Sequence, residues 1–129
     1  MKQTHPFNNI LIVDDTPENL TVLRRILTEE GYRVRPALTG EMAIRTIFAD
    51  LPDLILLDIA MPEMDGYELA GRIRENGNHS GTTLVALTGY GQDADRKRAR
   101  DAGFDFHLVK PVGVGALQDL LNSLPQEGE

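Results

Sequence analysis

Short apolar runs alternate along the chain with stretches in which apolar residues recur every three or four positions. The runs occupy residues 10–13, 33–37, 54–57, 83–87 and 106–109. The first, third and fourth are almost continuously apolar, which is typical of strands buried on both faces of a parallel sheet. We therefore predict five strands covered by helices.

Helical patterns separate these runs. Thr16 and Pro17 suit an N-cap and a first helical residue, and Gly31 suits the end of the same helix. Further helices are predicted from Thr39 to about Asp50, from Asp65 or Gly66 to about Glu75, from Asp93 to Gly103, and from about Val114 to Leu124. Strand and helix alternate throughout, which predicts an open, doubly wound α/β sheet.

The start of the last helix is weak. Gly113 is a tolerable N-cap, but Gly115 inside the first turn costs ~1 kcal/mol relative to alanine. We predict a late or frayed start to this helix.

Composition limits the remaining possibilities. The 129 residues suit one domain, expected over residues 9–124 with frayed tails at 1–8 and 125–129. The absence of cysteine excludes disulfides and thiolate metal sites. A net charge of −7 disfavours nucleic acid and anionic membranes as partners. With no apolar run of ~20 residues and no signal-peptide pattern, we expect no membrane insertion and a cytoplasmic protein.

Polar residues follow four of the five predicted strands: Asp14 and Asp15, Asp58, Thr88, and Lys110. In a doubly wound sheet, ligands bind beyond the carboxyl ends of the strands, so these groups are expected to converge. Clustered carboxylates repel one another, and Mg²⁺ relieves that repulsion while keeping positions open for phosphate oxygens. The set therefore favours phosphoryl transfer, in which an aspartate can itself be the nucleophile.

Four motifs carry a family resemblance: VDD at 13–15, LLDIAMPEMDG at 56–66, ALTG at 86–89 and LVKP at 108–111. Together they resemble the receiver domain of two-component response regulators, over residues 9–124. The resemblance implies a CheY-like, flavodoxin-like (βα)5 fold with strand order 2-1-3-4-5. It also implies a signalling domain, not a metabolic enzyme, that takes a phosphoryl group from a histidine kinase or histidine phosphotransfer protein and catalyses its own phosphorylation and dephosphorylation.

The resemblance assigns a role to each residue of the set. Asp58 corresponds to the phosphoacceptor. Asp15 corresponds to a direct Mg²⁺ ligand and Asp14 to one acting largely through water, while Asp58 and the carbonyl of Ala60 complete the protein ligands. Lys110 is expected to pair with the acceptor and then with a phosphoryl oxygen, and its bond to Pro111 is expected to be cis.

Two residues are expected to act as switches. By resemblance, Thr88 binds the phosphoryl group and moves inward on activation, although it could simply end a strand. His107 stands where family members often carry an aromatic side chain that rotates with activation. A solvated strand histidine is the alternative for His107. The resemblance also implies that the positions of Ala60 and Tyr90 tune hydrolysis of the acyl phosphate. A large Tyr90 would shield the phosphoryl group from water while a small Ala60 leaves room for it, so no phosphoryl lifetime is predicted.

A basic run, Arg96-Lys97-Arg98 with Arg100, lies on the predicted fourth helix. It is either a solvated helix face or a docking surface. In the family, the surface of helix four, strand five and helix five is a frequent dimer or output face, so a monomer or weak dimer is expected. No helix-turn-helix pattern follows, which argues against DNA binding.

Two other functions share part of this pattern. Phosphatases related to haloacid dehalogenases also form an aspartyl phosphate, but they need a second acid two residues after the nucleophile, where this chain has Ala60. A degenerate receiver acting only as a scaffold is disfavoured because the expected site residues are all present. The sequence leaves open whether the chain is a stand-alone regulator or the receiver of a hybrid kinase.

Overall fold

The computed structural model of the chain describes residues 9–61, 64–75, 81–89 and 93–123, without the side chains of residues 93–95. The strands are β1 (Asn9–Val13), β2 (Arg33–Ala37), β3 (Leu54–Asp58), β4 (Thr83–Thr88) and β5 (Phe106–Val109). The helices are α1 (Pro17–Glu29), α2 (Gly40–Ala49), α3 (Gly66–Glu75), α4 (Asp93–Ala102) and α5 (Val114–Ser123). None of the described helices is long and apolar enough to cross a membrane.

The strands form one parallel sheet in the order β2-β1-β3-β4-β5. This confirms the fold class and strand order that the resemblance implied. The order reverses between β1 and β3, so their carboxyl ends flank the position at which open α/β sheets bind ligands.

Two apolar clusters cover the two faces of the sheet. Leu11, Ile55 and Leu84 pack with residues of α2, α3 and α4. Ile12 and Leu56 alternate with them and pack with the buried leucines of α1 and α5. The central strands are therefore buried on both faces, which is why their sequences are nearly continuous in apolar residues.

Most predicted helix boundaries are confirmed. The Thr39 hydroxyl accepts a hydrogen bond from Met42 N at 3.1 Å and caps α2. Gly31 and Gly103 have φ values of 100° and 115°, which glycine adopts without strain, and they follow α1 and α4. Thr16 does occupy the N-cap position of α1, but its side chain makes no capping hydrogen bond.

Two details differ from the sequence-based boundaries. β3 and β4 each extend one residue further, so Asp58 and Thr88 are the last residues of their strands rather than the first residues beyond them. The predicted late start of the last helix is wrong, because α5 begins at Val114 with a bond from Leu117 N to Gly113 O of 3.1 Å. Fraying in solution remains a prediction. Leu124 and the two expected tails lie outside the described residues.

Candidate functional site

Three carboxylates meet at the carboxyl ends of β1 and β3. Asp14, Asp15 and Asp58 each offer a ligand oxygen, and these oxygens lie within 4.8 Å of one another. Asp14 is fully buried and Asp58 is 3% exposed, whereas Asp15 is open to solvent. Burying two acids is costly unless hydrogen bonds or cations compensate for the lost hydration.

Hydrogen bonds hold the Asp14 carboxylate in place. Its Oδ1 accepts from Thr16 N at 2.9 Å, and its Oδ2 accepts from Asn19 Nδ2 at 3.3 Å. Asn19 is not among the site residues that the sequence predicted. A signal was present, because Asn19 lies four residues before the buried Leu23 and so falls on the sheet-facing side of the first turn of α1.

The Asp58 carboxylate is held from two sides. Its Oδ1 accepts from Ala60 N at 2.9 Å, and its Oδ2 accepts from Lys110 Nζ at 2.9 Å. Lys110 keeps 24% of its side chain exposed, so the ammonium group lies between the buried acid and solvent. Among the described residues, Lys110 is the cation in contact with this group of three acids, which leaves a local excess of negative charge.

Thr88 and Lys110 are joined through the backbone. Lys110 N donates to Thr88 O at 2.7 Å, next to the pairing of Thr88 with Val109. Thr88 is 5% exposed and lies at the end of β4, beside the β3 strand that carries Asp58. The Lys110–Pro111 bond is cis, as expected.

The electrostatics of Asp14 reflect this crowding. Burial raises the pKa of Asp14 above its ordinary value, and the negative charge of Asp58 raises it further. The Thr16 N–H, the Lys110 ammonium and the Asn19 amide act in the opposite direction. Hard oxygen ligands with unrelieved mutual repulsion fit a divalent cation such as Mg²⁺.

Close packing shapes the loop that follows Asp58. A Cβ atom at Gly66 would lie 2.7 Å from Ile59 Cα, so only glycine lets α3 begin this close to the residue after the acid. Similarly, a Cβ at Gly40 would overlap the Met64 side chain. Pro62 and Glu63 lie outside the described residues.

The second expected switch residue lies apart from the acids. His107 pairs with Ala86 in the sheet and lines a cavity with residues of α4. Burial, and then the charge of Arg96, lower the pKa of His107 below its ordinary value. Tyr90, His5 and His79 lie outside the described residues.

The sequence profile of the response regulator receiver domain matches residues 10–122. The match begins at the second residue of β1 and covers the other four strands and the three acids of the site. The chain belongs to this family. It is accordingly a receiver domain of two-component signalling, with an acidic pocket formed by Asp14, Asp15 and Asp58.

Curated relatives of this receiver domain differ greatly in length. An uncharacterized 14.6 kDa protein of Leptolyngbya boryana is 42% identical over 110 residues, covering 85% of this chain and 84% of the relative. The virulence sensor protein BvgS of Bordetella bronchiseptica is 41% identical over 118 residues, covering 88% of this chain but 10% of that protein. The chain likewise spans only 26% of a probable cyclic di-GMP phosphodiesterase of Vibrio cholerae.

Solved structures agree with the fold. The receiver domain of a Pseudomonas aeruginosa sensor histidine kinase, solved with a magnesium ion in its active-site cleft, is 35% identical with a TM-score of 0.80, covering 89% of this chain and 94% of that one. The Saccharomyces cerevisiae Ssk1 receiver domain, solved with the phosphotransfer protein Ypd1, is 26% identical with a TM-score of 0.84, covering 93% and 90%.

Proposed function

We propose that Asp58 is the phosphoacceptor and that it takes its phosphoryl group from a phosphohistidine in a histidine kinase or a histidine phosphotransfer protein. The observation that carries this proposal is that the Asp58 carboxylate accepts hydrogen bonds from both Ala60 N and Lys110 Nζ. Two further acids lie beside it. A carboxylate held from two sides presents its remaining lone pairs in a defined direction, which is what in-line attack requires.

In the transfer step, an oxygen of Asp58 forms a bond to phosphorus as the bond between phosphorus and the donor imidazole nitrogen breaks. The bonding electron pair stays on that nitrogen, and the carboxylate needs no proton because it attacks as an anion. The product is an acyl phosphate on Asp58. Most of the catalysis is then positioning and charge neutralisation.

Lys110 supplies positive charge where the transferred group would lie. Its ammonium contacts Asp58 Oδ2 directly and remains partly open to solvent, so it can follow the charge onto a phosphoryl oxygen. Thr88, which is buried at the end of the neighbouring strand, would offer its hydroxyl to the same group, and its position beside β3 supports this role.

The metal ligands would be Asp14, Asp15, Asp58 and the carbonyl of Ala60. Bound Mg²⁺ would neutralise the carboxylates and the charge of the phosphoryl group. Support comes from the three ligand oxygens within 4.8 Å of one another and from the raised pKa of Asp14. A magnesium ion occupies the active-site cleft of the Pseudomonas aeruginosa receiver domain, which is similar to this chain.

Activation would act through Thr88 and His107, altering the partner affinity of the surface formed by α4, β5 and α5. Thr88 is bonded through its backbone to Lys110, and His107 lies on β5, three residues before Lys110, which follows that strand. The proposal includes a cytoplasmic domain over residues 9–124 that is a monomer or forms a weak dimer through this surface, with no direct nucleic-acid partner. It would catalyse its own phosphorylation and dephosphorylation without being a metabolic enzyme.

The test is labelling of the protein by a phosphohistidine donor in the presence of Mg²⁺. Wild type should acquire one acid-stable, alkali-labile phosphoryl group, and Asp58→Asn should acquire none. Asp53→Asn is a control for the loss of another carboxylate outside the site. Full labelling of Asp58→Asn would refute the assignment.

A further inference from the structure

The cations of α4 are not equivalent in their surroundings. Lys97 Nζ contacts Asp101 Oδ2 at 3.0 Å, an i,i+4 pair on the helix surface. The Arg98 guanidinium lies 4.1 Å from the centre of the Tyr67 ring, a cation–π contact with α3. Within the described part of the chain, Arg96 and Arg100 have no acidic partner. The basic run is therefore neither a uniform solvated face nor one continuous basic stripe.

Arg96 and Arg100 line the same cavity. It lies between α4 and β5, has a volume of about 410 Å³, and includes His107 together with the apolar residues Ala99, Phe104 and Phe106. This volume is within the range of small-molecule sites. The cavity is separate from the acid cluster, since neither Asp58 nor Lys110 lines it.

Among the described residues that line the cavity, the acid is Asp105, and it is already engaged. Asp105 Oδ2 accepts from Arg74 Nη2 at 2.7 Å and from Leu84 N at 2.9 Å. Arg74 thus neutralises Asp105 from the α3 side, so within the described lining the charges of Arg96 and Arg100 are not compensated by Asp105. Arg96 and Arg100 are also four residues apart on one helix, a spacing at which like charges repel.

We propose that the cavity between α4 and β5 binds a small phosphate-bearing anion, with Arg96 and Arg100 as its ligands. Arginine presents a planar set of donors that matches the oxygens of phosphate, and two such groups in one concave site match one dianion. Binding would relieve the repulsion between the arginines. The source of the phosphate is either the free inorganic ion or a nucleotide, whose base would meet the apolar walls.

An extended acidic protein segment is the other occupant with suitable charge. The structure favours the compact anion, because Lys97 is paired with Asp101 and the Arg98 guanidinium lies against the Tyr67 ring, so neither prolongs the cavity's positive charge along α4. Of the four cations of α4, Arg96 and Arg100 are the two that line the cavity.

The experiment follows binding by NMR in EDTA without Mg²⁺, so that the acid cluster does not attract phosphate. The probes are inorganic phosphate, adenosine diphosphate and a polyglutamate peptide, each added to wild type and to Arg96→Ala, Arg100→Ala and Lys97→Ala. Phosphate or the nucleotide should shift the side-chain resonances of Arg96, Arg100 and His107. Each arginine variant should bind about tenfold more weakly. Lys97→Ala removes the same charge from the same helix and should bind like wild type.

The pKa of His107 provides a second measurement of anion binding. Its pKa is lowered by burial and by Arg96, so a bound anion should raise it again. Equal affinity for phosphate and nucleotide would show that the site binds the phosphate group alone. Tighter binding of the nucleotide would show that its base also contacts the apolar walls of the cavity.

Three results would overturn the proposal: no saturable binding of either phosphate compound, equal weakening in Lys97→Ala, or tighter binding of polyglutamate than of both. The Asp58→Asn variant should bind the phosphate probes like wild type. Because these measurements need neither Mg²⁺ nor phosphoryl transfer, the anion site and the acceptor role of Asp58 can fail independently.

Discussion

Lys110 Nζ donates to Asp58 Oδ2 at 2.9 Å, joining residues 52 positions apart in the chain. The carboxylate is 3% exposed and the lysine 24%, so the ion pair lies at the boundary between core and solvent. We predict that Lys110→Ala slows labelling of Asp58 by about a hundredfold, because a positive group aimed at the transferred phosphoryl group is lost. Rapid-quench labelling measures this rate.

Lys97→Ala is the matched control, since it removes a lysine of α4 that is paired with Asp101 of the same helix and has no contact with Asp58. Its labelling rate should stay at the wild-type value. A Lys110→Ala rate within a factor of about two of wild type would show that the ammonium group does not act on the transferred group.

Mg²⁺ should raise the free energy of unfolding, and more so at higher Mg²⁺ concentration, because it binds the folded site and not the unfolded chain. The melting temperature of wild type should rise with Mg²⁺ and fall again with EDTA. Asp15→Asn should remove most of this response, and it should do so with little change in metal-free stability because Asp15 is exposed. Asp119→Asn, an exposed acid of α5, should keep the full response. A wild-type melting temperature that ignores Mg²⁺ would contradict the metal assignment.

Gly66 and Gly71 provide a matched pair of substitutions within α3. Gly66→Ala places a Cβ 2.7 Å from Ile59 Cα and should cost about 1–3 kcal/mol of unfolding free energy. The Cβ of Gly71→Ala meets nothing within 4 Å and should stabilise the helix by about 0.5–1 kcal/mol. Urea denaturation measures both. Equal changes in the free energy of unfolding for the two substitutions would show that the close approach to Ile59 does not exclude a Cβ at residue 66.

His107 should make stability depend on pH. Its folded pKa lies below the ordinary value of 6.5, so the unfolded chain binds more protons in the interval between the two. Stability should therefore be lost as pH falls through 6.5 towards the folded pKa, and change no further from this group below it. The charged groups lining its cavity are Arg96 and Arg100 from α4 and Asp105 before β5, while its sheet neighbour is Ala86.

Urea denaturation of wild type and His107→Gln across this interval isolates the effect. The variant should show a shallower loss of stability on acidification. An identical slope in both proteins would mean that His107 binds protons equally in the folded and unfolded states.

The first turn of α5 should exchange its amide hydrogens faster than α1. Gly115 lies in that turn, and a Cβ there would meet nothing within 4 Å, so no tertiary contact offsets its low helix propensity. Gly115→Ala should stabilise the domain by about 1 kcal/mol and slow exchange over residues 114–118. Exchange in wild type as slow as in α1 would show that the helix start is not frayed.

The sequence was sufficient for the sheet and for the polar residues at its edge. The apolar runs locate the strands because both faces of the sheet are covered, and Asp14, Asp58 and Lys110 follow from the rule that parallel strands end at one edge. Identifying Asn19 requires knowing how α1 turns over that edge. Its side chain reaches Asp14 by a contact that no motif records.

Tertiary partners explain the other differences. Thr16 is a residue type that often caps helices through its side chain. Here that side chain makes no capping hydrogen bond, and the backbone N–H of Thr16 donates to the buried carboxylate of Asp14 instead. Likewise, the different surroundings of the α4 cations depend on other elements. Arg98 lies over Tyr67 of α3, and Asp105, which lines the cavity of Arg96 and Arg100, is paired with Arg74 of α3. Side-chain pairing between elements is not encoded in the local pattern of any one of them.

Asp58 and Thr88 both lie at the carboxyl edge of the sheet, but strand alternation assigns them to opposite faces of it. Asp58 continues the series Leu54 and Leu56 on the face covered by α1 and α5, whereas Thr88 continues Leu84 and Ala86 on the face covered by α2, α3 and α4. A genetic screen of this protein should therefore yield two separable classes of surface mutant. Substitutions on the α1 surface would impair loading by the kinase, and those on the α4 surface would leave loading intact but abolish the response.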